Sequence, residues 1–257
     1  DNDGNYSLDR VDPLIPLSFG ANLGLWLDAS DATSITASSG AVSQWSDKSG
    51  NALHVVQATA DKQPTTSSAT QNSLNVLSFD GGDYLQKSSS NVQNVDQTWF
   101  MVAQVDSVSD SSDSLLAYGN WADGKWQFNS DHATAFYGMM RKNNTSGITS
   151  VSRSSSSSNL IGSYRLYSLS FNRSNSTFSS WMDGTNNNNA KADSIALSTN
   201  QKITVMGSRQ STPSSPGGKM AEILYLKSIA DADRLKVEGY LAHKWGLTAN
   251  LASSHLY

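Results

Sequence analysis

Tyr164-Arg165-Leu166-Tyr167-Ser168-Leu169-Ser170-Phe171 decides the fold class: Tyr167, Leu169 and Phe171 alternate with Leu166, Ser168 and Ser170. A period of two belongs to a strand, whose successive side chains point to opposite faces. Bulky apolar groups on one side and mainly hydroxyls on the other predict an antiparallel strand with one face on a core and the other half-solvated.

The same pattern recurs outward from this stretch. Apolar runs at residues 23–27, 76–79, 98–105, 115–118, 126–128, 136–140, 177–182, 203–206 and 220–226 have the lengths of strands, not helices. Asp47-Lys48-Ser49-Gly50-Asn51, Asp80-Gly81-Gly82-Asp83, Asp123-Gly124 and Asp183-Gly184 supply residues that tolerate positive φ, so hairpins are expected there. The serine run 154–158 and the asparagine run 186–189 are too polar for a core and are expected in exposed loops. One helix is predicted, from Asp231 to about Trp245, with Val237, Tyr240, Leu241 and Trp245 at helical spacing and Gly246 as its C-terminal cap. Asp231 and Asp233 in its first turn and His243 and Lys244 in its last suit the helix dipole.

At 257 residues the chain is long enough for one large sandwich. Only 16% of residues are charged, so neutral hydrogen-bonding groups carry solubility, as in many extracellular bacterial modules. A net charge of -4 without a basic stripe argues against nucleic acid as a partner. With no cysteine, a disulfide framework, a thiolate nucleophile and a Cys-based zinc site are excluded. No run approaches the ~18 apolar residues of a membrane span, and no signal peptide is evident, so a mature segment or excised domain is expected.

The first residues, Asp1-Asn2-Asp3-Gly4-Asn5 through Asp9 and Asp12, space Asp1, Asp3, Asn5, Asp9 and Asp12 so that a tight turn at Gly4 would gather oxygen ligands for Ca²⁺. The segment resembles one short, incomplete copy of a thrombospondin type 3 calcium repeat; a solvated polar linker would read the same way. Residues 1–16 are therefore expected to form a linker and residues 17–257 the domain. Asp110 and Asp113 in the acidic loop after Asp106 are further candidate calcium ligands, with a solvated hairpin loop as the alternative.

Trp26-Leu27-Asp28-Ala29-Ser30-Asp31, Val42-Ser43-Gln44-Trp45-Ser46-Asp47-Lys48-Ser49-Gly50-Asn51 and Val76-Leu77-Ser78-Phe79-Asp80-Gly81-Gly82-Asp83-Tyr84-Leu85 resemble the opening of bacterial laminin G-like, concanavalin A-like lectin domains. Trp181-Met182-Asp183-Gly184, Gly218-Lys219-Met220-Ala221-Glu222-Ile223-Leu224-Tyr225 and the tail from Val237 to Leu247 are similar to that family's later strands and closing helix. The resemblance implies an all-β, two-sheet antiparallel jelly roll with one C-terminal helix. It does not choose among adhesin modules, modules of polysaccharide-degrading enzymes and proteins of other roles.

A glycosidase on this fold needs two carboxylates across a cleft. The only glutamates, Glu222 and Glu238, fall in the penultimate strand and on the helix, where solvated or structural roles are expected. The surroundings of His54, His132, His243 and His255 do not repeat those of lyase strands, and His132 alone merits a test. Catalysis is therefore not expected.

Sugar recognition asks for an apolar platform beside planar polar groups. The segment 118–131 offers Asn120, Trp121, Asp123, Trp126, Gln127 and Asp131, with His132 following. Trp121, in a Gly- and Asp-punctuated loop, is the first candidate for stacking, although Trp121 and Trp126 could equally pack inside. Arg141, and Arg209 with Gln210, could bring planar donors. Trp26, Trp45, Trp99, Trp181 and Trp245 read as core. The expectation is a non-catalytic, calcium-assisted glycan-binding module of a secreted or cell-surface protein. It would be a monomer that meets cell-surface or matrix glycans and no membrane interior. A polysaccharide-active enzyme and a structural or protein-binding module remain the alternatives.

Overall fold

The computed structural model describes residues 15–90, 92, 95–108, 113–118, 125–131, 135–141, 148–154, 161–173, 175, 177–191, 201–208 and 215–256. In 125–131, 135–141 and 148–154 the description is of the backbone. A short helical turn, α1 (Ile15–Ser18), precedes β1 (Leu23–Asp28), β2 (Ile35–Ser38), β3 (Ala41–Trp45), β4 (Val55–Val56), β5 (Thr70–Gln71), β6 (Leu74–Asn75), β7 (Leu77–Asp80) and β8 (Leu85–Ser90). The second half carries β9 (Gln97–Ser107), β10 (Asp113–Tyr118), β11 (Lys125–Asp131), β12 (Ala135–Arg141), β13 (Ile148–Ser154), β14 (Tyr164–Asn172), β15 (Thr177–Met182), β16 (Thr185–Lys191), β17 (Gln201–Ser208) and β18 (Gly217–Lys227), and α2 (Asp231–Lys244) closes it.

Two antiparallel sheets face each other. One has the order β1-β18-β9-β14-β15-β16, with β7 also paired to β18; the other runs β13-β12-β11-β10-β17-β8-β4-β3-β2. The core between them holds Trp45, Trp99, Tyr118, Tyr167, Phe178 and Tyr225, with Trp99 stacked on Tyr225 at 4.4 Å between ring centroids. A second apolar layer lies between the outer face of the smaller sheet and α2, built from Trp26, Phe100, Val102, Leu166, Leu224, Val237, Tyr240, Leu241 and Trp245. The double cover explains why β9 reads as an unbroken apolar run: Trp99, Met101 and Ala103 enter one layer while Phe100 and Val102 enter the other.

The all-β sandwich and its closing helix agree with the sequence expectation, and each predicted apolar run falls on a strand, with Val76 standing just before β7. The helix ends as its residues dictate. Gly246 takes φ +69°, its N–H donates to the His243 carbonyl, and the Leu247 N–H donates to that of Ala242, which is a Schellman closure. Asp183 and Gly184, at φ +51° and +72°, make the two-residue turn between β15 and β16.

Three expectations need correction. The asparagine run is not a loop: Asn186, Asn188 and Asn189 pair with β15 in the edge strand β16, because the Asp183-Gly184 turn returns the backbone into register and strand pairing uses main-chain groups. The hydroxyl face of β14 is not half-solvated at Ser168, which is 1% exposed beneath α2. Of the two roles open to Glu222 and Glu238, the structural one holds, both being 0% exposed. Trp181 is only half-buried and lies under the Arg234 guanidinium, 4.3 Å from the ring centroid, rather than in the apolar core.

Candidate functional site

The two glutamates dock α2 onto the smaller sheet. Glu222 on β18 accepts from the Trp26 indole N–H and the Tyr240 hydroxyl at Oε1, and from the Trp245 indole N–H at Oε2. The Lys244 ammonium stands 2.8 Å from that same Oε2. Burial pushes the Glu222 carboxyl above the ordinary carboxylate range, while Lys244 and Trp245 act against it. Glu238 on α2 accepts from Ser168 Oγ at 2.8 Å and from Arg234 Nη1 at 2.6 Å, and lies 3.1 Å from His255 Nε2. Both carboxylates are committed to fixing the helix, and neither meets solvent where a glycosidic bond could reach it.

α2 packs on the outer face of the smaller sheet, and the outer face of the larger sheet is accessible on its β3, β4 and β8 strands. Strand pairing aligns a row across it: Gln44 opposite Val56, Val56 opposite Gln86, Gln86 opposite Thr204, and Thr204 opposite Ala117. Directly opposed residues share a face, and the neighbouring positions Trp45, Val55, Leu85 and Val205 line the core. Val56 is 41% exposed, Gln44 and Gln86 are half-exposed, and Thr204 and Ala117 are buried. An apolar spot between two primary amides is a combination that can seat a sugar ring and bond its hydroxyls. In the sequence this row shows only as the alternation of Gln86 with Leu85 and of Thr204 with Ile203 and Val205.

The candidate residues distribute around the same sheet. Trp126 occupies the register position opposite the core residue Tyr118, and Gln127 the position opposite Ala117, extending the outward row. Arg141 pairs with Lys125 at the end of the sheet where β10 finishes at Tyr118 and β11 begins. Asn120, Trp121 and Asp123 belong to the connection between those strands and lie outside the described residues. Asp131 is opposite Ala135 at the other end of β11. Asp113 is at that end too, fully buried and opposite Ser208; His132, Arg209, Gln210 and Asp110 fall outside the described residues. The strand anchors therefore divide the candidates into a Tyr118–Lys125–Arg141 end and an Asp113–Asp131–Ser208 end, about 20 Å apart for strands of six or seven residues.

Asp1, Asp3, Asn5, Asp9 and Asp12 also fall outside the described residues. Among the described residues no three Asp, Glu or His side chains gather as a metal site; Asp110, the other residue of the acidic loop proposed with Asp113, lies outside them. Among them too, no helix is long and apolar enough to cross a membrane.

No protein-family model matches the sequence, and no curated protein matches it. Solved structures do match in fold. The CBM40 of the Ruminococcus gnavus IT-sialidase, bound to alpha2,3 sialyllactose, superposes with a TM-score of 0.50 at 11% identity, over 63% of this chain and 95% of that one. The Trypanosoma rangeli sialidase in complex with sialic acid gives 0.58 at 13% identity, over 87% of this chain and 33% of that one. This chain thus spans about a third of the sialidase's length. At these identities the likeness establishes the sandwich fold.

Proposed function

We propose that this chain is a non-catalytic carbohydrate-binding module of the laminin G-like lectin type, and that it presents the outer face of its larger sheet to glycans at the cell surface or in the extracellular matrix. The observation that carries the reading is the division of labour between the sheets: α2 and both glutamates close one outer face, while the other carries the Gln44–Val56–Gln86 row. The burial of Glu222 and Glu238 supports binding without cleavage, since the acid and base of a glycosidase must reach the substrate. The fold shared with a module bound to sialyllactose makes sialylated glycans the first probes.

Trp121 and Arg141, at the Tyr118–Lys125 end of the same sheet, would add a stacking ring and a planar donor at the rim. Calcium, held by the N-terminal aspartates, would order that rim or an adjoining linker. A secreted or surface-attached parent protein fits a cysteine-free chain poor in charge and rich in Ser, Thr and Asn.

A glycan array probed with calcium and with a chelator tests the reading. Binding to a defined set of glycans supports it, and loss of that binding in chelator supports the calcium role. Failure to bind any glycan in either condition overturns it.

A further inference from the structure

Asp28 and Glu222 are directly opposite each other on β1 and β18. Like charges in that position repel, and the chain places a lysine between them. Lys244 Nζ, from the last turn of α2, stands 2.8 Å from Asp28 Oδ1 and 2.8 Å from Glu222 Oε2. The three side chains are 15%, 6% and 0% exposed respectively. Trp26, Tyr240 and Trp245 wall the site, the Tyr240 and Trp245 ring centroids lying 5.6 and 5.2 Å from the ammonium. On its far side, Asp28 Oδ2 meets the Lys48 ammonium at 3.2 Å.

We infer that Lys244 and Asp28 condense to an intramolecular isopeptide bond, with Glu222 relaying the protons. This inference stands apart from the glycan reading. An ammonium and a carboxylate contain the atoms of an amide plus one water, so no oxidant or activated co-reactant is required. Glu222 Oε2 takes a proton from Lys244 Nζ and passes it to Asp28 Oδ1. The freed amine then attacks Asp28 Cγ, forming the C–N bond, and the negative charge that develops on Oδ2 faces Lys48. Glu222 relays a second proton from the nitrogen to Oδ1, the Cγ–Oδ1 bond breaks, and water leaves. The product is a neutral secondary amide, and Glu222 returns to its starting state.

Three physical features favour the step. A pre-placed pair reacts with the high effective molarity of an intramolecular reaction. Condensation replaces the Lys244–Asp28 charge pair with one neutral amide and removes the like charge opposite Glu222, which keeps its hydrogen bonds from Trp26, Tyr240 and Trp245. Burial raises the proton affinity of Glu222, which suits it to receive the first proton. In the resting pair Lys244, Ser30 and Lys48 hold the Asp28 carboxyl below its ordinary range against its own burial, so relay through Glu222 is what makes Asp28 electrophilic.

Intact-mass measurement of the denatured full chain tests this. The expected result is a species about 18 Da, one water, below the sequence mass, together with a branched tryptic peptide joining the segment that ends at Lys48 to the segment that follows Lys236. Asp183-Gly184 could also lose water, by cyclising to a succinimide, and the branched peptide separates the two events. Lys244→Arg and Asp28→Ala should abolish the branched peptide, and Glu222→Gln should reduce its yield at least tenfold. A wild-type chain that keeps its full mass after prolonged incubation at neutral pH, or that loses water without the branched peptide, overturns the inference.

Discussion

Replacing Glu238 with leucine should weaken the docking of α2 far more than the loss of one surface charge would. Its carboxylate is 0% exposed and takes Ser168 Oγ at 2.8 Å, Arg234 Nη1 at 2.6 Å and His255 Nε2 at 3.1 Å. Leucine leaves the Ser168 hydroxyl without its acceptor in a buried site, at about 1–3 kcal/mol. Breaking a buried ion pair costs about 3–5 kcal/mol, but Arg234 keeps Asp231 at 2.7 Å and the Trp181 ring, so only part of that applies. The apolar side chain returns up to about 2 kcal/mol. The net expectation is a loss of about 3 kcal/mol in urea unfolding followed by tryptophan fluorescence. Ser168→Ala alone should cost about 1 kcal/mol, and the double variant less than the sum, because the two share one hydrogen bond. A loss below about 1 kcal/mol for Glu238→Leu would refute the assignment of Glu238 as the helix anchor.

Other outcomes follow from the same structure. Burial and the neighbouring Asp80 raise the Asp83 carboxyl from 3.8 to about 6, so the folded chain holds this proton more tightly than the unfolded one. Its contribution to stability is complete below about pH 4 and is lost as pH rises to about 6; Asp83→Asn should flatten urea midpoints across that window and stabilise the protein at pH 7 by about 1–3 kcal/mol. Gly184→Ala combines φ +72° with a Cβ 2.7 Å from the His255 ring, and should lower the thermal midpoint by several degrees, consistent with a cost of about 2 kcal/mol. Gln86→Ala, on the outward row, should weaken binding of an array-selected glycan about tenfold, with the thermal midpoint unchanged within about 1 °C.

What local sequence could reveal was the architecture. Period-two runs such as 164–171, the Asp183-Gly184 turn and the Val237-to-Trp245 spacing each carry their meaning within a few residues. The β16 strand was hidden because its pairing depends on the turn before it and on main-chain groups, while its asparagines advertise a loop. Ser168 and Glu238, and likewise Trp26 and Glu222, were hidden for another reason: their partnerships span 70 and 196 residues, so a polar residue looks solvated until its partner is seen. The site was legible only in part. Gln127 is placed only by its register opposite Ala117, and Gln44, Val56 and Gln86 are individually ordinary and line up only through strand order.

Titrating the ¹⁵N-labelled chain with an array-selected glycan, while recording both amide and sugar spectra, shows whether the larger sheet binds glycan and leaves it intact. Amide shifts should cluster on β4 and β8 around Val56 and Gln86 and extend to the paired β17, with sugar signals that remain those of the intact oligosaccharide. Shifts confined to α2 and the sheet beneath it, or new reducing-end signals from a cleaved glycan, would contradict binding without cleavage on the larger sheet.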